Sequence, residues 1–142
     1  MGQVTLVAGP PCAGKTTRVD RIADPDDLIL DFDRIAVRLG SPRPWLHPPQ
    51  VIAVVEHEIV ERLRDRGDRL TWLIRAAPRR AQREHLAQAL GARVWLLDPG
   101  LRECLLRARR RPNPHGTAAE IRKWYRLYRP SPIDEVRFQC CG

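Results

Sequence analysis

Short apolar runs alternate along this chain with longer stretches in which apolar residues recur every three or four positions. Val4-Thr5-Leu6-Val7-Ala8 has the length and continuity of a buried strand. Three further runs have the same character: Leu28-Ile29-Leu30, closing on Asp31, then residues 70–74, then residues 94–97, closing on Asp98. The intervening stretches predict helices over residues 15–23, 33–39, 50–66, 78–90, 101–109 and 117–128. In the third of these, Val51, Ile52, Val54, Val55, Ile59, Val60 and Leu63 recur at helical spacing before Gly67. Gly91 stops the fourth. Thr117, with Glu120 three residues on, reads as the N-cap and capping box of the last helix. Residues 40–49 and 112–116, rich in Pro, Gly and Asn, read as loops. Strand and helix in strict alternation predict an α/β domain with a small parallel sheet of about four to five strands and helices on both faces. The tail over residues 131–142 carries Val136-Arg137-Phe138, read either as an edge strand or as an unstructured segment. No internal repeat is visible.

Chemistry enters at the first loop. Residues 9–16 read Gly-Pro-Pro-Cys-Ala-Gly-Lys-Thr, a complete G-x-x-x-x-G-K-[ST] pattern, with a strand before it and a helix after it. In that setting the loop predicts a nucleoside triphosphate site built from Gly9, Cys12, Ala13, Gly14, Lys15, Thr16 and Thr17. Its amides and the start of the helix would face the phosphates. Lys15 would neutralise them, and the Thr16 hydroxyl would ligate Mg²⁺. The fold class expected is therefore a P-loop NTPase three-layer sandwich. ATP and Mg²⁺ are the expected cofactors.

The second run ends in Asp31-Phe32-Asp33. Carboxyl ends of parallel strands face the ligand crevice, so both acids should lie near the loop. Asp31 would serve the metal, and Asp33 would orient an acceptor hydroxyl and take its proton. The competing reading makes Asp33 the cap of a helix starting at Arg34 and Asp31 a solvated turn residue. The third run leads into Arg75, where a hydrolysing P-loop ATPase would carry an acid. Asp98 is a further candidate for metal or base contact.

Size and composition bound these readings. With 142 residues the chain suits one domain, expected as 1–130 plus the tail. No segment is long and apolar enough to suggest a membrane span or a signal peptide, and the four cysteines form neither a disulfide framework nor a zinc pattern. A cytoplasmic location and no membrane partner are expected. The net charge is +8, and all the Lys+Arg residues except Lys15 and Lys123 are arginine. A basic surface attracts polyanions, but a skew this strong towards arginine suits coding bias equally well. The cluster Arg107-Ala108-Arg109-Arg110-Arg111 and the loop after it are expected to form a lid, at about residues 107–117, whose Arg107 and Arg110 stabilise charge on the transferring phosphate. The final helix interleaves Arg122, Lys123, Arg126 and Arg129 with Trp124, Tyr125 and Tyr128, either as a single-strand stacking surface or as core contacts. His47, His57, His85 and His115 carry no assignment.

The phosphate loop, Asp33, the arginine-rich lid and Arg122-Lys123-Trp124-Tyr125-Arg126-Leu127-Tyr128 together resemble the kinase domain of phage-type polynucleotide 5′-kinases, over about residues 3–130. The resemblance implies that Asp33 is the general base and that Arg107 or Arg110 meets the transferring phosphate. It also implies an arginine gripping the acceptor phosphate at the position of Ala36, with Arg34 and Arg38 out of register. The Asp31/Asp33 pair is similar to that of small-molecule kinases of the shikimate and gluconate type. The expectation carried forward is an ATP-dependent phosphotransferase acting on a hydroxyl, favoured as the 5′ end of single-stranded DNA or RNA. The alternatives are a small-molecule or nucleoside acceptor and a nucleotide-binding accessory protein without catalysis. The oligomeric state is left open.

Overall fold

The computed structural model describes residues 1–43 and 46–137, and among them five strands and six helices follow one another in chain order. The strands are β1 (Val4–Ala8), β2 (Leu28–Asp31), β3 (Thr71–Arg75), β4 (Arg93–Leu97) and β5 (Asp134–Arg137). The helices are α1 (Lys15–Ile22), α2 (Phe32–Arg38), α3 (Pro49–Arg64), α4 (Arg80–Leu90), α5 (Leu101–Ala108) and α6 (Pro114–Leu127). The sheet runs in the order β2-β3-β1-β4-β5, and every neighbouring pair is parallel. β1 is central, so all five of its residues are buried. A strand covered on both faces reads as an unbroken apolar run, which is why its pattern was so plain.

The two faces bury different sets because side chains alternate along each strand. Leu6, Leu30, Leu73 and Leu96 face a large cluster that Ile35 of α2, Val55, Ile59 and Leu63 of α3, Leu86 of α4 and Trp124 of α6 complete. Val7, Trp72, Ile74 and Leu97 face the other way, onto Val19 of α1. Cys104 and Ala108 of α5 pack with Ile121 of α6 in a smaller cluster that reaches Cys12. Among the described residues no helix is long and apolar enough to cross a membrane.

Two elements differ from the sequence-based expectation, and a third, read as either an edge strand or an unstructured segment, takes the first form. α6 starts at Pro114 and its cap is Asn113, whose side chain accepts from the Gly116 amide at 3.0 Å. An Asn cap followed by proline at the first helical position is the stronger start signal, so Thr117 lies buried in the first turn and the capping box does not form. In α3 the seven regularly spaced apolar residues divide: Val55, Ile59 and Leu63 are buried and Val51 partly so, while Ile52, Val54 and Val60 are exposed. Third, the segment after residue 130 supplies β5, parallel to β4. Its anchor is Arg83 of α4, fully buried, which donates from Nε and Nη2 to the Asp134 carboxylate at 2.8 and 2.7 Å. Phe138 of the expected edge strand, and Cys140 and Cys141, lie outside the described residues, as do Pro44 and Trp45 of the first predicted loop.

Candidate active site

The loop between β1 and α1 turns sharply enough to need left-handed backbone at two places. Gly14, the N-cap of α1, has φ 88°, and Cys12 has φ 66°. Glycine adopts this at no steric cost, whereas Cys12 is held there by its surroundings. One such tie is Arg107 of α5, which donates from Nη1 to the Cys12 carbonyl at 3.0 Å and from Nε to Glu103 at 3.1 Å. Gly14 offers no side chain to cap α1, so the first-turn amides at Lys15, Thr16 and Thr17 face outward without a capping group. Their alignment favours an anion at that point. Lys15 Nζ donates to the carbonyls of Gly9 and Pro10, both at 2.8 Å. Burial holds its pKa below the ordinary lysine range, against the pull of Asp33 and Asp31.

Asp31 closes β2 and is nearly buried, at 5% exposure. Its Oδ2 accepts from the Thr16 hydroxyl at 2.5 Å, joining the start of α1 to the end of β2. Its Oδ1 accepts from the amides of Asp33 and Arg34 at 3.1 and 3.4 Å. Asp31, not Asp33, is therefore the cap of α2, because the helix begins two residues earlier than the competing reading required. Asp33 is freed from capping and sits in the first turn. Its Oδ1 lies 2.7 Å from Nε2 of His47. The cleft walls remove part of its hydration and so raise the Asp33 pKa above the usual carboxylate range although the side chain stays 55% exposed, an effect that the His47 hydrogen bond and the Lys15 charge partly offset.

Lys15, Thr16, Asp31 and Asp33 line one cleft of about 1040 Å³, together with Cys12, Ala13, Gly14 and Thr17 of the loop. Arg34, Arg38 and Arg79 also line it, and Arg111, Thr117 and Lys123 come from the α5–α6 turn and α6. Of the two expected lid arginines, Arg107 is engaged with the Cys12 carbonyl and Glu103. Arg110 is exposed and is not among the residues lining the cleft; Arg111 is. Asp98 also lies outside that lining, accepting from the Tyr125 hydroxyl at 2.6 Å and the Gly100 amide at 3.1 Å. Ala36 is wholly buried in the core, which leaves Arg34 and Arg38 as the α2 cations at the cleft. These two are paired, Arg34 with Asp20 at 2.6 Å and Arg38 with Glu58. The aromatics of α6 are core contacts: Trp124 is 2% exposed, donates to the Ala76 carbonyl at 2.7 Å and stacks on Tyr128 at 4.8 Å.

Sequence reasoning missed Arg79 and Lys123 as cleft residues and His47 altogether, and it placed Arg111 in the lid cluster without singling it out. Nothing local marks His47, since its link to Asp33 spans fourteen residues and a loop.

No protein-family model and no curated protein matches this sequence. Among solved structures, the chain is similar to the crystal structure of TT1252 from Thermus thermophilus. That match has a TM-score of 0.62 and 14% identity, and covers 97% of this chain and 88% of that one. A likeness at such low identity concerns the α/β architecture alone.

Proposed function

We propose that this chain is an ATP-dependent kinase of the P-loop class that moves the γ-phosphoryl group to a hydroxyl, with a polynucleotide 5′-hydroxyl as the favoured acceptor. The observation that carries the reading is the 2.5 Å contact between the Thr16 hydroxyl and the Asp31 carboxylate, in a cleft that Lys15 and Asp33 also line. Hard oxygen donors of this kind suit Mg²⁺, which characteristically takes one or two protein oxygens and completes its shell with phosphate and water. Bound with ATP, Mg²⁺ would neutralise charge on the phosphates.

The chain's own residues then divide the work. Lys15 exchanges its two loop carbonyls for phosphate oxygens, and the first-turn amides of α1 complete the cradle. Asp33 receives the proton of the acceptor hydroxyl as that oxygen bonds to phosphorus, and the bond from phosphorus to the leaving nucleoside diphosphate breaks with its electron pair. Arg111 and Lys123, which also line the cleft, supply positive charge. With Arg79 they are cleft cations that have no acidic partner among the described residues, and this supports a polyanionic acceptor. A small hydroxyl acceptor is the second reading, favoured by Val37 and Pro42 in the cleft lining.

The deciding experiment is transfer from γ-labelled ATP with Mg²⁺ to a 5′-hydroxyl oligonucleotide, run beside a free nucleoside. Lys15→Ala should abolish label on the acceptor. Asp33→Asn should lower turnover by about a hundredfold to ten-thousandfold with nucleotide binding retained, the range a general base contributes. Normal turnover in Asp33→Asn would remove the base assignment. Label on the nucleoside alone would move the acceptor to the second reading.

A further inference from the structure

Asp33 has a problem that burial does not solve. Its side chain is 55% exposed, so its carboxylate would sample several rotamers if nothing held it. A base that waits in many orientations loses much of its effectiveness, because productive proton transfer needs an oxygen fixed within hydrogen-bond reach of the hydroxyl. The only side-chain hydrogen bond of the Asp33 carboxylate among the described residues is with His47, and the two groups differ sharply in their surroundings. The His47 side chain is 5% exposed. Its Nδ1 lies 2.6 Å from the Ser41 hydroxyl, and its ring packs against Phe32 with centroids 5.9 Å apart. Ser41 is itself buried, and its amide donates to the Ala36 carbonyl at 3.0 Å, which ties this loop to the end of α2. The imidazole is therefore fixed from behind by the core, while the carboxylate reaches into the cleft. Of two bonded groups, the immobile one positions the other.

Building on the kinase reading, we propose that His47 is the positioning residue for the catalytic base: its Nε2–H donates to Oδ1 of Asp33 and leaves Oδ2, which has no partner among the described residues, to receive the acceptor proton. The Asp33 carboxylate can only accept, which places a hydrogen on Nε2, while Ser41 Oγ, also 3.1 Å from the Arg43 carbonyl, holds the ring at Nδ1. His47 is not among the residues lining the cleft, so it acts through Asp33 and not on nucleotide or acceptor. The usual role of a buried histidine with both nitrogens satisfied is packing. Here one of the two partners is the cleft carboxylate that caps no helix and binds no loop hydroxyl, and packing alone would not require that bond.

The test uses three substitutions that separate the two nitrogens. His47→Gln places an amide N–H near the position of Nε2, His47→Asn places one near Nδ1, and His47→Phe keeps the ring volume with no donor. Transfer of label from γ-labelled ATP is measured on whichever acceptor the wild-type chain uses, the 5′-hydroxyl oligodeoxynucleotide or the free nucleoside. The expected result is a kcat about tenfold to a hundredfold lower in His47→Phe and His47→Asn, with KM for ATP nearly unchanged, the cost of misplacing a reactive group. His47→Gln should recover most of the loss. In an Asp33→Asn background, His47→Phe should cost nothing further, because the group it positions is gone. Equal activity of His47→Gln and His47→Asn would overturn the proposal even if His47→Phe failed to fold. So would a full additional loss in the Asp33→Asn background. Wild-type turnover in His47→Phe, with Asp33→Asn inactive, would overturn the positioning role and leave the kinase reading standing. No transfer by the wild-type chain to either acceptor would remove both.

Discussion

Arg83→Met should be among the most damaging single substitutions outside the cleft, and the reason lies in complete satisfaction of a buried charge. Arg83 is 0% exposed and its guanidinium donates to five acceptor atoms. Nε and Nη2 reach the two Asp134 oxygens, Nη2 also reaches the Arg129 carbonyl at 2.6 Å, and Nη1 reaches the carbonyls of Ala77 and Pro78 at 3.1 and 2.9 Å. The Tyr128 ring lies 5.2 Å from the guanidinium carbon. Methionine matches much of the volume but donates nothing, so the Asp134 carboxylate, 3% exposed, would keep only the Ser131 amide at 2.8 Å. Breaking a buried pair from one side costs about 3–5 kcal/mol, because the remaining charge is stranded. With an unfolding entropy of about 2 cal/mol/K per residue, that loss lowers Tm by roughly 10–17 °C for a chain of this length. Urea unfolding followed by circular dichroism gives the free energy, and a thermal scan gives the Tm. The double variant Arg83→Met/Asp134→Leu is the control: removing both charges should recover much of the loss, since a buried pair replaced whole is often nearly neutral. A single variant within about 1 kcal/mol of wild type would refute the reasoning, as would a double variant no better than the single one. In the first case β5 would be held by its backbone ladder; in the second, by the carbonyl contacts rather than the ion pair.

Arg111→Ala should lower kcat by about tenfold or more while Arg110→Ala leaves it unchanged, because only the former lines the cleft; equal effects in a label-transfer assay would show that the α5–α6 turn rearranges during turnover. Burial pushes the Cys104 thiol up to about 11, the Tyr125 hydroxyl opposing it slightly. A raised folded-state pKa stabilises the chain below the ordinary thiol pKa and loses that contribution as pH rises through the folded value, so wild type should lose about 2–3 kcal/mol relative to Cys104→Ala between pH 9 and 11. Urea midpoints of the two proteins that stay parallel across this window would contradict it.

Much of this architecture was legible because periodicity reports burial directly. β1 is apolar at nearly every position since both faces of a central parallel strand are covered, and the glycine-lysine-threonine pattern between strand and helix located the loop. Asp31 and Asp33 were placed at the cleft by a general rule about strand ends, and both line it. Their division of labour was not readable. Whether Asp31 or Asp33 caps α2 turns on a two-residue difference in where the helix begins, which propensity does not resolve. The capping box at Thr117 failed because two start signals lay four residues apart and the stronger, Asn113 with proline at the first helical position, prevailed.

By itself the sequence determined the α/β alternation, the loop at residues 9–16 and the carboxylates near it, because each depends on neighbours within one or two turns. Tertiary structure alone decided that Arg83 binds the last strand fifty-one residues away and that His47 meets Asp33 across a loop. It also decided that Arg111, not Arg110, reaches the cleft. A side chain's partner across the fold depends on how helices rotate and stack on the sheet. That arrangement is set by the summed packing of many residues, and no local pattern encodes it.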